Sequence, residues 1–140
     1  MNSMKRSGMG LVLASGIIET IIAFVAYWVF YALDSGNLAT PMVILMFGML
    51  GGILAIIGSV LIKSTRLAGP ILSMIAAGLE LFATLYLIVM VGAKLTALNE
   101  TAIMVILPFF ILPNALAIAG ATMALVPPKD QEAPQQPKAE

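Results

Sequence analysis

The chain has 140 residues, of which 61% are hydrophobic and 10% are charged, and its seven basic side chains balance its seven acidic ones. A soluble domain carries about 25% charged residues, so this composition predicts an integral membrane protein. Zero net charge argues against a nucleic-acid partner, and the lack of Cys and His removes the usual metal ligands and the usual catalytic base. We therefore expect no enzymatic activity, no cofactor and no metal.

Four apolar segments follow a short polar N-terminus, residues 1–8, which is predicted to be cytoplasmic. The segments cover about residues 9–33, 42–62, 67–92 and 102–126. Each reaches the roughly 20 residues that a helix needs to cross a bilayer core, and lipid offers a non-helical backbone no hydrogen-bond partners. The sequence therefore predicts an all-α membrane protein with a four-helix transmembrane domain over 9–126.

Short connections between the segments predict an up-down bundle, because each helix must lie antiparallel beside the next one. Basic residues are concentrated at alternate connections: Lys5 and Arg6 precede the first helix, and Lys63 and Arg66 link the second helix to the third. Such residues favour the cytoplasmic side, which predicts that both termini are cytoplasmic. The segment 127–140 is Pro-rich and has no large apolar residue, so we expect a disordered cytoplasmic tail.

Local signals agree with these helix positions. Thr40 is predicted to cap the second helix, with Pro41 at its first position, and Pro70 falls in the opening turn of the third helix. Trp28 lies near the outer end of the first helix, where an aromatic ring favours the membrane interface.

The two halves of the chain resemble each other. Gly16–Glu19 aligns with Ala77–Glu80 at an offset of 61 residues, and Ile57–Ser59 aligns less clearly with Ala119–Ala121 at an offset of 62. Two spans in each half would make this a parallel repeat. Apolar helices also resemble one another by chance, so duplication and coincidence both stay open.

Three polar side chains are predicted to lie near the middle of the membrane, on three different helices: Glu19, Glu80 and Asn114. Each lies roughly 15–18 Å into its helix. A charged side chain at that depth costs about 2.5–3.5 kcal/mol, so it needs a partner, a proton or water. The acids could hydrogen-bond between helices, pair with a basic residue of a neighbouring subunit, or bind a proton or a lipophilic cation.

Small residues and prolines indicate how the helices pack. Pro108 and Pro113 lack an N–H group and are predicted to kink the fourth helix. Small residues four apart allow close approach, within the bundle or between subunits, and the second helix has a set of them in Gly48, Gly51, Gly52 and Gly58.

Two resemblances to known families add to these predictions. The run from Lys63 to Leu72, KSTRLAGPIL, with Gly-rich spans on either side and a Pro-rich tail, resembles a family of uncharacterised prokaryotic four-span membrane proteins, a domain of unknown function. The run from Leu13 to Glu19 is similar to the first span of the small multidrug resistance family of four-span dimeric exporters. That likeness implies that Glu19 couples proton and drug, whereas Glu80 has no counterpart in the family's pattern.

The leading hypothesis is a small non-enzymatic membrane protein that serves as an accessory or structural subunit of a larger membrane complex. The alternative is a small proton-coupled transporter of lipophilic cations that uses Glu19 and Glu80. In either case we expect a multi-pass protein of the plasma membrane. Its expected partners are the lipid bilayer and either other membrane subunits or further copies of the chain.

Overall fold

The computed structural model describes residues 2–33, 38–94 and 100–126, and no strand occurs within these ranges. Its helices are α1 (Ser3–Leu33), α2 (Ala39–Ser64), α3 (Ala68–Lys94) and α4 (Glu100–Leu125). In the second helix a π-helical segment, Ile44–Met49, separates the α-helical segments Ala39–Val43 and Leu50–Ser64. The prediction of an all-helical protein is confirmed for these residues. The predicted tail, 127–140, lies outside the described residues.

Three described helices are long and apolar enough to cross a membrane: Ser3–Ala32, Ala39–Ser64 and Ala68–Val89. A shorter apolar helix covers Phe110–Leu125. Large apolar side chains cover the outside of the helices, and Val60 and Val89 are 64% and 67% exposed. A surface of this kind is compatible with surrounding lipid, because soluble proteins rarely expose large continuous apolar patches.

Helices that follow one another in sequence pack antiparallel, and α1 also packs against α4. Lys5 Nζ donates a hydrogen bond to the Thr65 carbonyl oxygen at 3.3 Å, so the beginning of α1 lies beside the α2–α3 connection. Gly8, near the beginning of α1, contacts the backbone of Gly120, near the end of α4. The start of α1, the end of α4 and the α2–α3 connection therefore lie at one end of the bundle.

Helix α1 begins before the apolar segment does. Asn2 Oδ1 accepts a hydrogen bond from the backbone N–H of Lys5 at 2.8 Å. A side-chain acceptor at this position satisfies a backbone donor that the first turn leaves free. This cap starts the helix at Ser3, within the polar segment that precedes the predicted span.

The prediction that Thr40 caps the second helix is wrong. The helix begins at Ala39, and Leu38 precedes it without any side-chain cap. Pro41 still lies in the first turn, where its missing N–H group is not needed.

Thr65 joins the end of α2 to the beginning of α3. Its Oγ1 donates to the Leu61 carbonyl oxygen at 2.7 Å and accepts from the Gly69 N–H at 2.9 Å. Because α3 begins at Ala68, Pro70 lies in its opening turn, as predicted.

Glycines bring neighbouring helices together at equivalent positions in the two halves of the chain. A Cβ atom placed on Gly120 would lie 2.7 Å from the Gly8 carbonyl oxygen, and one placed on Gly58 would lie 3.2 Å from the Gly69 carbonyl oxygen. Gly69 lies 61 residues after Gly8, and Gly120 lies 62 residues after Gly58. These are the offsets at which the two halves of the sequence align. Helix α1 therefore crosses α4 as α3 crosses α2, which is the arrangement of a pseudo-two-fold axis along the bundle.

A second equivalent pair lies deeper in the bundle. Ser15 Oγ donates to the Pro113 carbonyl oxygen at 2.7 Å, which joins α1 to α4. In the other half, Ala76 corresponds to Ser15 and Gly51 to Pro113, and a Cβ atom on Gly51 would lie 3.2 Å from the Ala76 carbonyl oxygen. The repeat that the sequence left open thus has a structural counterpart in two separate contacts.

Small buried residues, mainly Gly, Ala and Ser, lie at the contacts between helices. Within a membrane, small side chains let backbones approach closely and gain van der Waals contact. The glycines that the sequence singled out are all buried and face helices of the same chain: α1 for Gly48 and Gly52, and α3 for Gly51 and Gly58. This set of glycines therefore packs within the bundle.

Candidate functional site: two buried glutamates

Glu19 lies near the middle of α1, and its side chain is 0% exposed. Neither carboxyl oxygen has a hydrogen-bond partner among the described residues. A Cβ atom placed on Gly48 would lie only 3.3 Å from Glu19 Oε1, so this oxygen faces bare backbone of the π-helical segment in α2. Burying an ionised carboxyl group without a partner is costly, so the free energy of this site favours a bound proton, a bound cation or water.

Glu80 lies near the middle of α3 and is also 0% exposed. Its Oε2 accepts from Ser15 Oγ at 3.4 Å, and its Oε1 has no hydrogen-bond partner in the described part of the chain. The Ser15 hydroxyl carries a single hydrogen, for which the Pro113 carbonyl oxygen at 2.7 Å competes. Since the bond to Pro113 is much shorter, Glu80 is only weakly held by Ser15.

Asn114 of α4 hydrogen-bonds to Thr84 of α3, one helical turn from Glu80. Its Nδ2 donates to Thr84 Oγ1 at 2.7 Å and to the Phe110 carbonyl oxygen at 2.8 Å. Thr84 in turn donates to the Glu80 carbonyl oxygen at 2.9 Å. The Asn114 amide group therefore bonds to Thr84 and to its own helix, and not to either carboxyl group.

The three predicted residues lie in one region of the bundle interior. A Cβ atom placed on Gly48 would lie 3.3 Å from Glu19 Oε1, and one placed on Gly51 would lie 2.8 Å from Glu80 Cγ, so both acids pack against the same turn of α2. Asn114 directly follows Pro113, whose carbonyl oxygen shares the Ser15 hydroxyl with Glu80. Polar groups of α1, α3 and α4 thus meet beside the π-helical segment of α2.

Helix α4 continues from Glu100 to Leu125 through both prolines that were predicted to kink it. Pro113 is fully buried, and its carbonyl oxygen is the acceptor for Ser15. This position in α4 therefore contributes a backbone acceptor to the region around the two acids.

Sequence reasoning missed two features of this region. Ser15 lies one helical turn before Glu19, yet its hydroxyl contacts the glutamate of the other half, which helix periodicity alone does not indicate. The π-helical segment Ile44–Met49 has no proline and no other signal in the sequence that would mark it. Such segments often occur at functional sites, and this one contains Gly48, the neighbour of Glu19.

A groove between α1 and α4 begins one helical turn from Glu19. Its volume is about 250 Å³, and every side chain that lines it is apolar. The lining consists of Ile21, Ile22, Val25, Ala26, Val29 and Phe30 of α1, with Phe110 of α4. Ile22 is three residues from Glu19 and shares its face of α1, whereas Ile21 and Val25 of the groove are exposed on the outer face.

No group of three His, Cys, Asp or Glu side chains among the described residues is placed to hold a metal ion. No protein-family model, curated protein or solved structure matches the chain. The class of protein is therefore defined by its own features: a helical bundle with an apolar outer surface and two acids buried in its interior.

Proposed function

We propose that the chain is a small proton-coupled transporter of lipophilic cations, with Glu19 and Glu80 as its exchange site. In this proposal it is a non-enzymatic, multi-pass protein of the plasma membrane with four spans and both termini in the cytoplasm. The observation that carries the proposal is the complete burial of Glu19, whose two carboxyl oxygens have no hydrogen-bond partner among the residues that the structure describes.

The surroundings of the two acids favour proton or cation exchange over the two other roles, which are hydrogen bonding between helices and pairing with a basic residue of another subunit. A role as structural glue requires hydrogen bonds between helices, and Glu19 makes none with the described residues. Pairing with a basic residue of another subunit requires access from the surface, and both side chains are 0% exposed. An exchange site requires a carboxyl group that is buried and free to take a new partner, which describes Glu19.

The apolar groove supports a lipophilic cation as the substrate. Such a molecule combines an apolar body with a positive charge, and the groove offers a wholly apolar surface that begins one turn from Glu19. Apolar lining with a few convergent polar groups is the usual character of a small-molecule site.

The position of the basic residues supports cytoplasmic termini. Lys5 contacts the carbonyl oxygen of Thr65, so Lys5 lies at the same end of the bundle as Lys63 and Arg66, which flank Thr65 in the sequence. Basic residues concentrate on the cytoplasmic side of membrane proteins.

A second function, as an accessory or structural subunit of a larger membrane complex, is favoured by Gly78. This residue lies on the outer face of α3, and apart from the adjoining backbone of its own helix no described atom lies within 4 Å of the position that its Cβ would take. A small residue facing lipid lets a helix of another subunit, or of another copy, approach closely. Co-purification in mild detergent tests this role, because loss of a partner on Gly78→Leu would support it.

Uptake of tetraphenylphosphonium into proteoliposomes with an acidic interior tests the transporter proposal. We expect uptake in exchange for internal protons, at least a tenfold loss in Glu19→Gln, and a loss in Glu80→Gln. Glu100→Gln changes an acid at the start of α4 and serves as the matched control. Uptake by Glu19→Gln equal to that of the control, with both proteins monodisperse in detergent, would overturn the proposal.

A further inference from the structure

The buried side-chain atoms that lack hydrogen-bond partners in the described part of the chain are all oxygens that accept. They are Oε1 and Oε2 of Glu19, Oε1 of Glu80 and Oδ1 of Asn114. Native proteins leave few buried polar atoms unsatisfied, and each such atom calls for a physical explanation. These four acceptors belong to three side chains of the same interior region of the bundle, and a positive ion held among them would satisfy them.

The amide oxygen of Asn114 is fixed as an acceptor. An Asn amide has two N–H donors and one oxygen. Nδ2 already has two acceptors, Thr84 Oγ1 at 2.7 Å and the Phe110 carbonyl oxygen at 2.8 Å. Rotating the amide by half a turn would bring Oδ1 against the Phe110 carbonyl oxygen, two acceptors facing each other, so Oδ1 keeps its present position and stays available to a cation.

Glycine leaves space beside Glu19. The position that a Cβ atom would take on Gly48 lies 3.3 Å from Glu19 Oε1, so any larger residue there would crowd this oxygen. Gly48 belongs to the π-helical segment of α2. Backbone that departs from regular α-helix inside a membrane is a known place for Na⁺ and proton sites in transporters.

We propose that Glu19, Glu80 and Asn114 bind an alkali-metal cation of the Na⁺ type in the interior of the bundle. Carboxylate and amide oxygens are ligands for hard cations. Ca²⁺ takes six to eight oxygen ligands and Mg²⁺ keeps several waters, so either ion would need several water ligands beside the four free oxygens. Na⁺ loses its water more readily than either divalent ion, and none of the described basic side chains is buried to take its place.

The charge of the site also fits a single positive ion. When one of the two acids is protonated, the pair carries one negative charge, which one alkali cation compensates. This inference rests on the proposed exchange at Glu19 and Glu80, and it adds an alkali-metal ion to the species that compete there.

Equilibrium binding of ²²Na⁺ to the purified full-length protein in detergent tests the inference. We expect saturable binding that low pH competes away. Asn114→Ala removes the amide oxygen but no charge, and we expect it to weaken binding at least tenfold. Thr122→Val is the matched control on α4, because Thr122 is exposed and donates only to the Ile118 carbonyl oxygen of its own helix. Helix content and elution volume of each variant establish that it is folded.

Competition and transport separate the possible outcomes. Absence of saturable ²²Na⁺ binding, or displacement by Ca²⁺ at concentrations far below those of Na⁺, would overturn the inference. If Asn114→Ala does not fold, an increase of at least 5 °C in the unfolding temperature of the unaltered protein in NaCl over choline chloride supports the site, and no increase contradicts it. Tetraphenylphosphonium uptake without Na⁺ binding would overturn this inference alone, whereas Na⁺ binding without uptake would overturn only the transporter proposal.

Discussion

Ser15 on α1 and Ala76 on α3 occupy equivalent places in the two halves of the bundle, each one helical turn before a buried glutamate. Ser15 Oγ lies 3.4 Å from Glu80 Oε2, whereas Ala76 offers only a methyl group. The two halves therefore share their backbone contacts but differ in the polar groups that they present. Glu80 has a hydroxyl group from the opposite half, and Glu19 has none among the described residues.

Ala76→Ser is expected to restore this missing hydroxyl group. The new side chain would lie in the place that Ser15 takes in the other half, so it would face Glu19 across the bundle. A hydroxyl group that donates to a carboxylate stabilises its ionised form, so Glu19 would rebind its proton less readily, and we expect tetraphenylphosphonium uptake to fall severalfold while the protein stays folded. Uptake kinetics in proteoliposomes measure this. Unchanged kinetics would contradict the role given to the unpartnered oxygens of Glu19.

Ser15→Ala is expected to destabilise the bundle modestly. It removes the 2.7 Å bond to the Pro113 carbonyl oxygen and the weaker contact with Glu80. Hydrogen bonds between membrane helices contribute about 0.6 kcal/mol on average and up to ~1.7 kcal/mol. Unfolding in mixed micelles with increasing SDS measures the loss. Ser7→Ala changes an exposed serine of the same helix and should leave the free energy of unfolding unaltered.

Gly69→Ala is expected to weaken the contact between α2 and α3. A Cβ atom at this position would meet the backbone of Leu61 and Ile62, which cannot move aside as a flexible side chain can. Overpacking of this kind costs about 1–3 kcal/mol. We expect a lower unfolding temperature, measured by circular dichroism in detergent.

Gly78→Ala is the matched control on the same helix. Apart from the adjoining backbone of α3, no described atom lies within 4 Å of the position of its Cβ, and Ala is favoured over Gly in a helix by up to about 1 kcal/mol. We expect the unfolding temperature to stay the same or to rise. Equal losses in Gly69→Ala and Gly78→Ala would show that the close backbone contact at Gly69 is not present.

Thr84→Val and Asn114→Leu are expected to be coupled. The 2.7 Å bond between these side chains joins α3 to α4, so removing both should cost less than the sum of the single changes. We expect a coupling free energy of about 0.6 kcal/mol, with an upper bound of ~1.7 kcal/mol. A double-mutant cycle of SDS unfolding measures it.

The control cycle replaces Thr84→Val with Thr122→Val. Thr122 bonds only to the Ile118 carbonyl oxygen of its own helix, so its effect should add to that of Asn114→Leu. Additivity in both cycles would contradict the bond between Thr84 and Asn114.

Apolar length predicted the helices, because about 20 apolar residues in lipid have no alternative to helix. Counting residues along each helix predicted that Glu19, Glu80 and Asn114 lie at a similar depth, since the rise per residue of a helix is constant. The sequence does not predict how each helix is rotated about its own axis, because that rotation depends on which glycines let two backbones approach. For this reason the contact of Ser15 with Glu80 could not be foreseen, although Ser15 and Glu19 share a face of α1. The early start of α1 depends on a single hydrogen bond that Asn2 Oδ1 accepts from the backbone of Lys5, which an apolar pattern does not predict.

The pseudo-two-fold arrangement within one chain has a consequence for how the two acids can diverge. In a symmetric pair of identical two-helix chains, every substitution would alter the surroundings of both acids at once. Here Ser15 and Ala76 are separate positions of one sequence, so either can change alone. The chain can therefore give two chemically identical carboxyl groups different affinities, and such a difference allows them to lose their ligands one after the other.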